Sequence, residues 1–181
     1  MPEYRRAYIP GATYFFTVAT HRRQPLLTDP RCRESLRNAI NRVRSGMPFE
    51  IAAWVLMPDH LHAVWQLPPD DKDFSLRWSL IKQHVTRDCA MWLPRQNLSP
   101  SRERRGEGGL WQRRFWEHLV RDELDFSRQL DYIHYNPVKH GYVLNVAEWP
   151  YSTFHHYVKQ GVYPVDWGGA VEMNDGEIFG E

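Results

Sequence analysis

Two apolar runs of eight residues, "FEIAAWVL" (Phe49–Leu56) and "HLHAVWQL" (His60–Leu67), are separated only by Met57-Pro58-Asp59. Short runs of β-branched and aromatic residues joined by a Pro-Asp turn read as a pair of antiparallel strands. A lone hairpin is marginal in water, so the chain must supply more strands and a cover. "TYFFTVAT" (Thr13–Thr20) reads as another strand and "WQRRFWEHLV" (Trp111–Val120) as a fourth. Three helices are predicted between and after them. In "DPRCRESLRNAINRVRSG", Leu36, Ile40 and Val43 fall at helical spacing, with Pro30 as start and Gly46 as stop. Phe74–Leu93 reads as a long amphipathic helix. Asp122–Asn136 has an acidic first turn, and Pro137 is its stop signal. The order β-α-β-β-α-β-α predicts an α+β fold: an antiparallel sheet with helices packed on one face, a ferredoxin-like sandwich.

The 181 residues suit one domain, spanning 1–167. Pro94–Gly109, rich in Pro, Gly, Ser and Arg, is expected to be an exposed mobile loop, and 168–181 a disordered acidic tail. "AEWPYSTFHHYVKQGVYPVDWGG" is aromatic but irregular and is expected to wrap the core, which should also hold most of the eight Trp. No apolar run reaches the ~18 residues of a membrane span. "MPEYRRAYIPG" lacks the apolar centre of a signal peptide. Cys32 and Cys89 match no zinc spacing and read as reduced thiols. A cytoplasmic, nucleoid-associated location is the expectation.

The net charge of +1 hides an asymmetry. Residues 1–120 carry 19 Lys and Arg against 12 Asp and Glu, a balance of +7, and residues 121–181 carry 4 against 10, a balance of −6. A basic, Arg-rich front suits a polyanion, although a solvated surface would look the same.

On a strand, residues two apart face the same way. His60 and His62 therefore project from one face with Val64 and Gln66, and Leu61, Ala63, Trp65 and Leu67 from the other. Two neutral imidazoles side by side can bind one divalent metal, with other positions open to a further ligand, a phosphate oxygen and water. The same spacing also occurs without a ligand.

A second group lies in "RQLDYIHYNPVKHG". Phe126, Leu130 and Ile133 form the expected core stripe of the helix. Tyr132 is off that stripe, on a polar face with Asp125, Gln129 or Arg128, and Asn136. A tyrosine there either sits at the core boundary or is a phenol placed to attack a metal-bound phosphate. Tyr135 is the competing tyrosine. Asn136 either ends the helix or turns its amide oxygen to the same metal.

"MPDHLH", "WQRRFWEH" and "DYIHYNPVKHG", in this order, closely resemble the REP-associated tyrosine transposases, which belong to the His-hydrophobic-His (HUH) nuclease superfamily. The resemblance runs from "EYRRAYIPGATYFFTV" to "WPYSTFHHYVKQGVYPVDWGG". It implies an HUH-nuclease sandwich in which His60 and His62 hold Mg²⁺ or Mn²⁺ and the Tyr132 phenol attacks the scissile phosphate of single-stranded DNA. A 5′-phosphotyrosine and a free 3′-hydroxyl would result. By position Asn136 would be the third ligand, with His118 as the alternative. Hairpins of repetitive extragenic palindromes would be the substrate. Tyr4, Arg5, Arg6, Arg113, Arg114 and Trp116 would contact it, with Arg114, Trp116 and His118 on one strand face. A monomer or a homodimer fits. Two other readings stay open: a hairpin DNA- or RNA-binding module of the same fold that does not cut, and a metal-dependent hydrolase of small substrates. The second lacks a carboxylate pair or a G-x-S-x-G motif.

Overall fold

The computed structural model describes residues 7–93, 100, 104 and 108–168. Tyr4, Arg5 and Arg6, most of the Pro94–Gly109 segment and 169–181 lie outside them, so the loop and tail expectations do too.

The strands are β1 (Thr13–Ala19), β2 (Glu50–Leu56), β3 (His60–Gln66) and β4 (Trp116–Leu119). All pairings are antiparallel, in the order β2-β3-β1-β4. The helices are α1 (Pro30–Gly46), α2 (Phe74–Cys89), α3 (Glu123–Lys139) and the short α4 (Phe154–Lys159). An aspartate caps each long helix. Asp29 accepts from the Arg31 N–H, Asp73 from Leu76 and Asp122 from Asp125, each a stabilisation of about 1 kcal/mol. The predicted α+β antiparallel sandwich is the observed fold.

The helices do not share one face. Tyr14, Phe16, Val18, Leu61, Ala63 and Trp65 point to α1 and α2, where Trp65 stacks on Trp78 with centroids 4.1 Å apart. Phe15, Val55 and Val64 point the other way, to Leu130 and Ile133 of α3 and Phe154 of α4. Only three of the eight Trp (Trp65, Trp78, Trp111) are fully buried; the other five sit half-buried around the periphery. Cys32 and Cys89 are free and buried, with sulfurs 3.9 Å apart.

Three boundaries differ from expectation. Helix α2 ends at Cys89 rather than Leu93, the chain turning at Ala90–Leu93. The fourth strand spans Trp116–Leu119, the residues in ladder register with β1; Gln112 and Val120 reach β1 by single N–H bonds. Arg113 and Arg114 precede it, exposed, so Arg114 does not share a strand face with Trp116 and His118. Helix α3 continues through Pro137 to Lys139. A proline so near the end leaves few bonds to break, and the His140 N–H still reaches the Asn136 carbonyl at 3.0 Å.

Candidate active site

The two histidines start β3, directly after the Pro58-Asp59 turn. That turn is braced from β1: Thr20 reaches the Asp59 carbonyl with its N–H at 2.8 Å and its hydroxyl at 2.9 Å. The following residues Arg22 and Arg23 take left-handed φ values of 56° and 53°. Non-glycine residues hold that conformation at a cost of order 1–3 kcal/mol, which the surrounding bonds must offset. One consequence is that the Arg23 guanidinium comes within 3.5 Å of the Asp59 carboxylate.

His60 and His62 point to the α3 face as their alternation predicts, both buried, with ring centroids 4.9 Å apart. Each has its Nδ1 engaged. His60 Nδ1 lies 2.7 Å from the Asp59 carboxylate and His62 Nδ1 lies 2.9 Å from the Thr17 hydroxyl, across the β1–β3 pair. The Asp59 carboxylate accepts only, so it keeps the proton of a neutral His60 on Nδ1 and leaves Nε2 as an acceptor, while the Thr17 hydroxyl orients the His62 ring. Burial pushes the Asp59 carboxyl up, but the hydrogen bond from His60, that ring's charge and Arg23 outweigh it and hold the group below the usual carboxylate range.

Helix α3 crosses this pair. Tyr132 stands edge-on to His62, centroids 5.2 Å apart, and to Phe15 at 5.8 Å. Eight residues later the His140 ring lies 5.3 Å from that of His60. Tyr132, Asn136 and the C-cap His140 follow at four-residue intervals, about 6 Å apart along the helix axis, so Asn136 lies on the same helix face between the two contacts. Tyr132, Gln129 and Asn136 are buried, so the face expected to be polar is an interior one; of the two neighbours proposed by spacing, Gln129 shares it and Arg128 is exposed. Lys139 places its ammonium 5.0 Å over the Tyr132 ring. Tyr135 instead lies beside Gly168 of the C-terminal wrap.

Buried polar atoms are normally paired. Here His60 Nε2 and both amide atoms of Asn136 are buried with no hydrogen-bond partner among the described residues. Two imidazoles and an amide oxygen are a donor set that divalent metals accept. No group of three or more His, Cys, Asp or Glu suited to a metal occurs among the described residues. His118 is placed less well. It lies on β4, two strands or about 10 Å from β3, whereas the donors of one ion sit within about 4 Å of one another. Its Nε2 is 2.8 and 3.1 Å from the Asp125 oxygens, and its ring lies parallel to half-buried Trp116 at 6.0 Å. Burial pushes the Asp125 carboxyl up; bonds from His118, the Arg121 N–H and the Gln129 amide hold it low.

Asp59, Thr17 and His140 were not singled out from the sequence. The signal for His140 was present, as the third member of the Tyr132, Asn136 series. Asp59 read as turn chemistry, and Thr17 needed the β1–β3 register.

A strand-borne histidine pair faced by a helical tyrosine, on a four-stranded antiparallel sheet, is the arrangement that the resemblance of the sequence motifs implies. The family model "Transposase IS200 like" matches residues 9–136. The chain is 47% identical over 172 residues to the REP-associated tyrosine transposase of Escherichia coli (strain K12), covering 94% of this chain and 93% of that one. A solved structure of a REP-associated tyrosine transposase bound to a REP hairpin superposes with a TM-score of 0.80, at 45% identity and 98% coverage of both chains. The chain belongs to the IS200-like transposases, and within them to the REP-associated tyrosine transposases. No helix among the described residues is long and apolar enough to cross a membrane.

Proposed function

We propose that this transposase cleaves and rejoins single-stranded DNA beside REP-type hairpins, with Tyr132 as nucleophile and His60, His62 and Asn136 as ligands of Mg²⁺ or Mn²⁺. The observation that carries this reading is the Tyr132 ring set against His62, one helical turn from an amide with no hydrogen-bond partner among the described residues.

A bound divalent ion would polarise the scissile phosphate. The chain's own groups do the rest. Asp59 holds His60 in the ligating tautomer and Thr17 orients the His62 ring. The Tyr132 phenol oxygen attacks phosphorus, the bond from phosphorus to the 3′-oxygen breaks, and the phenolic proton is accounted for on the departing 3′-hydroxyl. The products are a 5′-phosphotyrosine on the enzyme and a free 3′ end. Attack by a 3′-hydroxyl reverses the step, so rejoining needs no ATP. Lys139, above the Tyr132 ring, offsets negative charge as the phenol–phosphorus bond forms. Exposed Arg113 and Arg114 beside Trp116 suit phosphate and base contacts, with Tyr4, Arg5 and Arg6 as further candidates. Phenol and histidines come from one chain, so a monomer suffices.

The test uses a labelled hairpin from the host genome's palindromes, with Mn²⁺ or EDTA. Label that stays on the protein through SDS only with Mn²⁺, and is lost in Tyr132→Phe, supports the proposal. Tight binding without adduct or cut product across several hairpins makes the chain a binding module instead.

A further inference from the structure

A run of aromatic rings leaves the histidine pair on the β2 side, away from β4. His140 lies 5.3 Å from His60; Tyr142 follows at 6.4 Å, Trp149 at 5.6 Å and Tyr151 at 5.5 Å, and the Arg33 guanidinium lies 4.5 Å over the Tyr151 ring. The run is fastened to the sheet. Trp149 Nε1 donates to the Leu56 carbonyl at 3.1 Å and the Leu56 N–H donates to the Tyr151 carbonyl at 2.8 Å. Packing accounts for the half-buried Trp149 and Tyr151. It does not account for Tyr142, a large ring 48% exposed in the middle of the series.

We infer that this ladder is a stacking path for the unpaired nucleotides next to the scissile phosphate, with Tyr142 as the ring on which a base lies. The inference rests on the strand-transfer reading above. The exposed rings are His140 and Tyr142, with half-buried Trp149 and Tyr151 continuing the series; exposed aromatic faces with cations alongside are how proteins hold single strands without reading sequence. Arg33 supplies a cation at the outer end, and Arg23 offsets the Asp59 charge at the inner end. Continuity with His60 selects nucleic acid over a peptide, because whatever lies on the ladder is delivered to the histidine pair.

The experiment places 2-aminopurine, whose fluorescence falls on stacking, at successive unpaired positions on either side of the cleavage point of a hairpin, in EDTA. The wild type should quench it at one or two positions. Tyr142→Ala should restore fluorescence there and weaken binding of the flanked hairpin about tenfold, the scale of one lost base–aromatic stack. Tyr142→Phe should behave as wild type, and all three should bind a blunt hairpin equally. Absence of quenching in the wild type, unchanged quenching and affinity in Tyr142→Ala, or equal loss on the blunt hairpin would overturn the ladder. A Mn²⁺-dependent adduct formed in parallel by the wild type would show the strand-transfer reading standing without it; no adduct would remove both.

Discussion

The Tyr132 ring meets the His62 imidazole edge-on, centroids 5.2 Å apart and planes at 72°, inside a single chain. This contact puts a phenol beside a histidine whose Nδ1 is already held by Thr17. Tyr132→Phe keeps the ring and its packing and removes only the hydroxyl. It should abolish cleavage, at least a 1,000-fold loss, roughly the 4 kcal/mol of a missing nucleophile, while hairpin affinity changes less than about twofold. A binding titration beside a cleavage time course checks both.

Asp59 is expected to act through His60. Partners of this kind typically contribute 10- to 100-fold in metal affinity. Asp59→Asn should raise the Mn²⁺ concentration needed for half-maximal cleavage by about that factor. His60→Ala and His62→Ala should lose metal-dependent activity altogether. Full activity of either in EDTA would exclude the metal role.

Asn136 gives a prediction of opposite sign for stability and function. An unpartnered buried amide costs about 1–3 kcal/mol. Asn136→Leu, similar in volume and apolar, should leave the metal-free protein as stable or raise its Tm by a few degrees. The same variant should lose the Tm increase that Mn²⁺ gives the wild type. A metal-free protein that melts much lower would mean that Asn136 is structural.

His134 bears on acid stability. It is fully buried, its Nε2 2.9 Å from the Thr153 hydroxyl, and burial lowers its pKa from 6.5 to about 3. The folded-state value is depressed, so the contribution is fully present above pH 6.5. As pH falls below that, the unfolded chain takes a proton that the folded one refuses, and stability declines until about pH 3. His134→Gln should flatten this part of the profile, measured as urea midpoints at pH 7, 5 and 4.

The first three strands were legible because their periodicity and turns agree. The helices were expected on one face only; the signal for the two-sided cover lay in "TYFFTVA", a run with little polar alternation whose residues after Thr13 are all buried. Tyr132 shows what periodicity misses. Its helix face looks polar, yet it is interior because it meets the sheet where the histidines are. Of the ladder, Trp149 and Tyr151 read only as part of an irregular wrap and Tyr142 carries no sequence signal, since the spacing depends on loop geometry and not on a repeat. Asp59 and Thr17 are ordinary turn and strand residues until the register brings them to the imidazoles.

The central claim is tested most directly by digesting the Mn²⁺-dependent protein–DNA adduct with nuclease and protease and sequencing the modified peptide by mass spectrometry. The account predicts a nucleotide linked through phosphate to Tyr132. A nucleotide on Tyr135, or on any residue other than Tyr132, would contradict it.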